Sequence, residues 1–197
     1  ACRFQPDLAI IASPASEHIV SAKALANAGT HLLVEKPISN NADGVAELIS
    51  LARERDLQLQ VGYNLRFLKT LQCFRENLIN GLIGSVHSVQ CEVGQYLPDW
   101  RPDVDYRQSV SAQRKFGGGV LLELSHELDL LSWIFGDICS VSAWIGSQGS
   151  LEIDVEDSAM LRLEFENKVR AQVMMDFIRR DSTRTCTAVG EKGTLRW

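Results

Sequence analysis

Three side chains that could take part in catalysis recur at intervals of three residues, shortly after a run of three glycines. Glu123, His126 and Asp129 would share one side of a helix. A carboxylate within reach of an imidazole fixes its tautomer and raises its basicity, so His126 with Glu123 would suit a general base near neutral pH. A solvated charged stripe and a metal site are the alternatives. Because one histidine with two carboxylates is weak support for a metal site, we expect no metal.

Further polar side chains follow three short apolar segments in the first third of the chain. The segments lie at residues 8–12, 31–34 and 57–61. In an open parallel sheet, ligands bind beyond the carboxyl ends of the strands, so these side chains should lie along one ligand-binding edge. Arg66 is a candidate for contact with a substrate. The candidates for contact with a bound cofactor are Ala12, Ser13, Pro14, His18, Glu35, Lys36 and Asn64.

A long polar segment at about residues 98–116 interrupts the second half of the chain. Loops of this length inside a compact domain are often functional. Aromatic rings can stack on sugar rings, and arginines can bind a carboxylate or a phosphate. We therefore predict that Trp100, Arg101, Tyr106 and Arg107 contact an acidic or nucleotide-linked sugar. The alternative is a surface excursion that binds nothing.

The elements that position these residues fall into two blocks. In residues 1–62, the apolar segments read as strands covered on both faces, and they alternate with helices predicted at 17–28 and from 45 to 52. Strand, helix, strand, helix, strand with short connections is the doubly wound parallel pattern. We predict that this block is a parallel α/β unit.

The second block, residues 63–197, changes to a period of two. Apolar residues alternate over 161–165 and 169–177 on either side of a turn, which predicts adjacent antiparallel strands. Helices predicted at 67–78 and 120–135 would cover one face of this sheet. The fold class is therefore α/β followed by α+β, a truncated parallel sheet and then an antiparallel-sheet domain covered by helices. The uncovered face carries Trp144 and Met174, and we expect a homo-oligomer to form through it.

Composition excludes several classes of protein. The chain has 197 residues, of which 45% are hydrophobic and 23% are charged, as in ordinary globular proteins. It contains no run of 18 apolar residues, so we expect no membrane association. The net charge of −5 without a basic tract argues against nucleic-acid binding. Five scattered cysteines favour neither zinc nor a disulfide framework, and they suit a reducing cytoplasm.

Four segments together resemble the Gfo/Idh/MocA family of oxidoreductases. They are DLAIIASPASEH at 7–18, AGTHLLVEKP at 28–37, VGYNLRF at 61–67 and GGGVLLELSHELD at 117–129. The resemblance implies transfer of a hydride between NAD or NADP and the hydroxyl of a sugar, sugar acid or nucleotide sugar. It implies that residues 1–62 are the C-terminal part of a Rossmann-type dinucleotide-binding domain and that residues 63–197 are a substrate and oligomerisation domain. It also implies site roles. Ser13, Pro14 and His18 would line the dinucleotide, Glu35 would hold the nicotinamide ribose, Lys36 would lie between nicotinamide and substrate, and His126 would be the acid–base group.

The chain departs from the family pattern at two places. Many members carry an aspartate four residues before the histidine, where this chain has Leu122, and the acid here is Glu123. The chain also contains no G-x-G-x-x-G motif. We therefore expect roughly 60–80 residues to be missing from its front, a last strand cut short, and a fragment that binds cofactor weakly or not at all. An NAD-using glycosidase of related fold and a non-catalytic sugar-binding or assembly module remain as alternatives.

Overall fold

A computed structural model describes residues 4–197, so Cys2 and the start of the first predicted block lie outside the described residues. The chain forms a three-stranded sheet and then a six-stranded sheet. The strands are β1 Leu8–Ile11, β2 His31–Val34, β3 Leu59–Val61, β4 Val86–Gly94, β5 Ile138–Gly146, β6 Ser158–Phe165, β7 Arg170–Asp176, β8 Thr183–Gly190 and β9 Gly193–Arg196. The helices are α1 His18–Asn27, α2 Val45–Glu54, α3 Lys69–Ile79, α4 Val120–Glu123 and α5 His126–Phe135. Within the described residues, no helix has both the length and the apolar character needed to cross a membrane.

The first sheet is parallel throughout, with the order β1-β2-β3. Helices α1 and α2 pack on one face, where Ile11, Leu32 and Val34 are buried. The prediction that these strands are covered on both faces is wrong for β1, because Leu8 and Ile10 on the opposite face are 58% and 67% exposed. An apolar run shows that a strand can be buried, but it does not show which neighbours cover it.

The second sheet has the order β5-β6-β7-β4-β8-β9. The predicted antiparallel pairing of β6 with β7 is confirmed, whereas β4 and β7 pair in parallel, so the sheet is mixed. Alternation of apolar residues predicts which face of a strand is buried, but it does not predict which strand lies next to it in the sheet. One face packs against α3 and α5 around Phe165, Val173 and Met175. On the other, open face, residues such as Arg162, Gln172 and Thr187 border a depression of about 730 Å³.

The predicted helix over residues 120–135 is divided in two. It breaks at Leu124, whose φ and ψ of −100° and 23° leave the helical region, and α5 starts afresh at His126. Gly119 precedes α4 with a φ of 108°, and a Cβ there would lie 2.3 Å from the Oε1 atom of Glu156. Only glycine fits such a position. The break places His126 at the beginning of a helix rather than in its interior.

Between β4 and α4, residues 97–116 form a series of short 3-10 turns, which we call the 97–116 segment. Leu97 and Ala112 anchor this segment in the hydrophobic core of the six-stranded sheet. Its intervening residues Arg101, Asp103 and Arg107 remain exposed. The segment is therefore an ordered surface excursion fixed at both ends.

Candidate active site

A cavity of about 330 Å³ opens where the two sheets meet, and we call it the junction cavity. Its walls come from the loop after β2, the α4–α5 break, the end of β4 with the start of the 97–116 segment, and the first residues of β8. The lining residues are Lys36, Val93, Gly94, Gln95, Trp100, Glu123, Leu124, His126, Ser182, Thr183 and Arg184. Segments far apart in the chain thus bring Lys36 and His126 to one cavity.

Lys36 is held by the C-terminal end of α4. Its Nζ atom donates a hydrogen bond to the backbone oxygen of Glu123 at 2.8 Å, and the Glu123 carboxylate lies 3.5 Å away. Both side chains are largely buried, with 18% and 19% of their surface exposed. Last-turn carbonyls of a helix lack partners within the helix, and a cation is a favourable partner for them. The ammonium group is therefore fixed at the cavity wall.

His126 is half-buried beside this ammonium group. Burial, together with the positive charges of Lys36 and Arg184, lowers the pKa of His126 to about 4. The Tyr63 ring meets the imidazole edge-on, with 5.6 Å between ring centroids. The buried Nδ1 atom has no hydrogen-bond partner among the described residues. The imidazole is thus neutral near pH 7 but a weaker base than an ordinary histidine, so the raised basicity predicted from the sequence is wrong.

The structure places Glu123 against Lys36, not against His126 as the spacing predicted. No hydrogen bond joins Glu123 to His126 within the described residues, because the chain leaves the helix between them and the ammonium group attracts the carboxylate. The third member of the predicted stripe, Asp129, contacts neither of the other two, because its carboxylate forms an ion pair with Arg66. Within residues 4–197, no group of three histidine, cysteine or acidic side chains is arranged to hold a metal ion.

Sequence reasoning missed two charged residues next to His126. Glu127 is completely buried, and Arg184 places its Nε atom 2.8 Å from the Glu127 Oε1 atom. Burial raises the pKa of Glu127 to about 6, against the lowering effect of Arg184. Arg184 lies on the same face of β8 as the buried Cys186 and Ala188. An arginine at a position that the alternation predicts to be buried is the sequence feature that could have indicated this pair.

The strand-end residues lie along one edge of the first sheet. Ala12, Ser13 and Pro14 follow β1, Glu35 follows β2, and Asn64 follows β3. Gly62 lets the Glu35 side chain lie against the end of β3, since a Cβ there would be 3.1 Å from its Oε2 atom. Except for the half-buried Pro14, these side chains are exposed.

His18 is different from its neighbours at this edge because it is buried. Its Nδ1 atom lies 2.9 Å from the backbone oxygen of Pro37, and its Nε2 atom lies 2.8 Å from that of Ser13. Both ring nitrogens are therefore used to join the loop after β1 to the loop after β2. The contacts of His18 are those of a residue that positions Ser13 and the segment containing Lys36.

The predicted substrate residues are dispersed, and of them only Trp100 lines the junction cavity. Arg66 forms a two-pronged ion pair with Asp129, with N–O distances of 2.8 and 2.6 Å, beside a separate cavity of about 470 Å³. Arg101 and Tyr106 border a small cavity within the 97–116 segment.

Arg107 is held by carboxylates of its own surroundings. It donates hydrogen bonds to Asp105 and to Glu152, with shortest distances of 2.8 Å to each. Glu152 also donates from its backbone N–H to the Tyr106 hydroxyl oxygen at 3.2 Å. These contacts tie the 97–116 segment to the loop between β5 and β6.

A lysine at the strand ends of a parallel sheet shares one cavity with a histidine on a helix that covers the mixed sheet, and this arrangement fits the dinucleotide-binding class of fold. Comparison with protein families agrees with this class. Residues 3–63 match the oxidoreductase family with an NAD-binding Rossmann fold, and residues 71–196 match the GFO/IDH/MocA C-terminal domain. The chain therefore belongs to the Gfo/Idh/MocA family, and the predicted resemblance is confirmed.

Individual relatives resemble the chain over nearly its whole length. An uncharacterized oxidoreductase of Synechocystis sp. is 30% identical over 94% of this chain and 53% of its own. Levoglucosan dehydrogenase of Pseudarthrobacter phenanthrenivorans is 26% identical over 82% and 47%. The WlbA dehydrogenase of Bordetella pertussis, solved with NADH and UDP-GlcNAcA, has a TM-score of 0.86 at 25% identity, over 96% and 55%. The chain thus spans about half the length of the relatives it matches.

Proposed function

We propose that the protein is an NAD(P)-dependent dehydrogenase that oxidises a hydroxyl group of a sugar, sugar acid or nucleotide-linked sugar. The observation that carries this proposal is the presence of Lys36 and His126 on the wall of one cavity, with the imidazole in its neutral form. Removing hydride from an alcohol carbon requires that the hydroxyl proton be taken up. A neutral histidine is the group suited to that step.

The residues at the sheet edge fit the nicotinamide half of the cofactor. The exposed Glu35 carboxylate can accept hydrogen bonds from ribose hydroxyls, and Ser13 and Asn64 offer polar contacts along the same edge. When bound, the nicotinamide would supply the hydride acceptor. The 197 residues contain no G-x-G-x-x-G motif to receive the pyrophosphate, so cofactor binding by this chain alone should be weak.

Lys36 and His126 would divide the work on the substrate hydroxyl. The Lys36 ammonium group, held by the Glu123 carbonyl, would donate a hydrogen bond to the hydroxyl oxygen and stabilise negative charge that develops there. His126 would accept the proton in the oxidation and return it in the reduction. Tyr63 packs against the imidazole ring and limits its rotation.

The names of the relatives support an oxidoreductase over the alternatives. Levoglucosan dehydrogenase and the WlbA dehydrogenase are named for this activity. We also propose that copies of the protein associate through the open face of the mixed sheet, where Trp144, Met160 and Met174 are exposed. Sedimentation analysis of the full-length protein, with Met160→Glu as the disrupting variant, tests this association.

Formation of reduced cofactor tests the proposed activity. The full-length protein is incubated with NAD or NADP and a panel of polyols, sugar acids and nucleotide sugars. We expect reduced nicotinamide to form in equal amount to the oxidised product. Lys36→Ala should lower turnover by about 100- to 10,000-fold, while affinity for the sugar changes only a few-fold.

Lys23→Ala is the matched control, because Lys23 forms a surface ion pair with Glu47 outside the junction cavity. Net cleavage of a glycosidic bond without accumulation of reduced cofactor would favour the glycosidase. Equal loss of binding and turnover in Lys36→Ala, or no turnover with any substrate, would favour a binding module.

A further inference from the structure

The junction cavity contains a guanidinium group that the proposed chemistry does not use. Arg184 lies opposite Val93 in the pairing of β8 with β4, on the same side of the sheet as the buried Cys186. Its neighbours on this face are apolar, yet 36% of the Arg184 side chain remains exposed where the face ends at the cavity. A cation at the border of an apolar face and an open cavity is available to a ligand.

Arg184 differs from the arginines whose terminal nitrogens are engaged by carboxylates. Arg66 and Arg107 direct their terminal nitrogens at carboxylates, and Arg179 pairs with Glu92. Arg184 meets its carboxylate through its Nε atom, which lies 2.8 Å from the Glu127 Oε1 atom. Neither of its terminal nitrogens donates a hydrogen bond to a described residue. The two-pronged end of this guanidinium group is thus unoccupied by protein.

Glu127 explains how this guanidinium group is held. The Glu127 side chain is only 1% exposed, so its carboxylate cannot reach the ligand space itself. Placed next to His126 at the start of α5, it ties Arg184 to the helix that carries the proton acceptor. A buried carboxylate needs a cationic partner, and an arginine held at Nε keeps its outer edge free for a second anion.

We propose that Arg184 binds a carboxylate carried by the sugar ring of the substrate, and that Glu127 is its positioning residue. The inference rests on the proposed function and narrows its substrate class to sugar acids. A guanidinium group pairs with a carboxylate through two parallel hydrogen bonds. We place the carboxylate on the sugar itself because Arg184 lines the same cavity of about 330 Å³ as Lys36 and His126. This assigns to Arg184 the anion recognition that the sequence predicted for Arg101 and Arg107.

Affinity measurements with two matched pairs of probes test the proposal in the full-length protein saturated with NADH. The pairs are glucuronate with glucose, and UDP-N-acetylglucosaminuronate with UDP-N-acetylglucosamine. We expect the acid of at least one pair to bind about 10- to 100-fold more tightly than its uncharged counterpart. Arg184→Gln should abolish this preference. Arg53→Gln, which removes an exposed charge from α2, should preserve it.

A second variant guards against misfolding. Arg184→Gln leaves the buried Glu127 without its cation, whereas the double variant Arg184→Gln with Glu127→Gln removes both charges and should fold. The double variant should also lack the preference for acids. A preference that survives in either folded variant overturns the proposal, as does a wild-type protein that shows no preference for an acid.

The same measurements separate a diphosphate site from a carboxylate site. If Arg184→Gln weakens both UDP-sugars equally, the guanidinium group binds the diphosphate and the proposal is wrong. Because affinity is measured without turnover, failure of the dehydrogenase proposal would appear separately, as absence of reduced cofactor. Oxidation of neutral sugars with no preference for acids would leave the dehydrogenase intact and remove only the role of Arg184.

Discussion

The junction cavity and the 97–116 segment both contain an arginine and an aromatic ring, but the two arginines differ in how many carboxylates they contact. In the segment, Arg107 lies between Asp105 and Glu152, so its charge is already balanced by exposed carboxylates. In the cavity, Arg184 contacts one buried carboxylate and keeps its outer nitrogens open. The sequence predicted anion recognition in the segment and did not indicate Arg184. The difference shows that an arginine is available to a ligand only if the fold brings no second acceptor to it.

The largest expected effect is the loss of the proton acceptor at the junction cavity. His126→Asn keeps a polar side chain of similar size but cannot take up a proton. We expect kcat for alcohol oxidation to fall by about 100- to 10,000-fold, with KM changed only a few-fold. Steady-state kinetics with the full-length protein measures this change.

His87→Asn provides the control for this variant, because His87 is an exposed histidine on β4. It should retain the activity of the unmodified protein. A His126→Asn variant with unchanged kcat would show that the proton leaves by another route, and the contrast between the two regions would lose its chemical basis.

Much of the fold follows from local pattern. Alternation over residues 161–165 and 169–177 predicts β6 and β7, and the short apolar segments predict the parallel order of β1, β2 and β3. These predictions succeed because side-chain period and burial are properties of a single strand. The parallel pairing of β4 with β7 could not be predicted in this way. It arises because β4, which comes earlier in the chain, lies between β7 and β8 in the sheet.

The site could be predicted in part, for similar reasons. Lys36 and His126 stand out because each follows a recognisable segment, the end of a strand and the three glycines. Glu127 and Arg184 did not stand out, because their contact joins residues 57 positions apart and neither belongs to a motif. The end of α4 at Leu124 could not be predicted either, because the surrounding leucines favour a continuous helix.

A pH experiment sharpens the comparison by using two titrating groups at the start of α5, His126 and Glu127, whose effects on stability have opposite signs. Native His126 has a pKa of about 4 against its ordinary 6.5, so the unfolded chain binds more protons between these values and stability falls as pH falls. Native Glu127 has a pKa of about 6 against its ordinary 4.5, so the folded chain binds more protons and stability rises as pH falls. In the unmodified protein the two effects partly offset each other.

Single variants should reveal each effect. Relative to the unmodified protein, His126→Asn should gain stability as pH falls from 6.5 to 4, and Glu127→Gln should lose stability as pH falls from 6 to 4.5. Urea unfolding midpoints across this range measure both. Differences of the same sign in the two variants would contradict the opposed titration.

A smaller effect is expected at Arg66, which the sequence assigned to substrate and the structure pairs with Asp129. Arg66→Gln removes both prongs of this ion pair, but the Arg66 side chain is 43% exposed, so the cost should be about 1 kcal/mol or less. Thermal unfolding should show a lowered Tm, while the affinity for sugar stays within a few-fold. A large loss of affinity with unchanged Tm would return Arg66 to the substrate site.

The smallest effect is expected in the 97–116 segment, and it is the most direct test of the comparison. Arg107 forms its ion pairs at the surface, where solvent and salt screen them, and it lies outside the lining of the junction cavity. Arg107→Gln should therefore change kcat/KM by less than about twofold for every substrate tested, and any loss of stability should vanish at high salt. Arg101→Gln should behave in the same way, because its side chain is exposed in a different depression. If either variant lost affinity for acids while Arg184→Gln did not, anion recognition would belong to the segment after all.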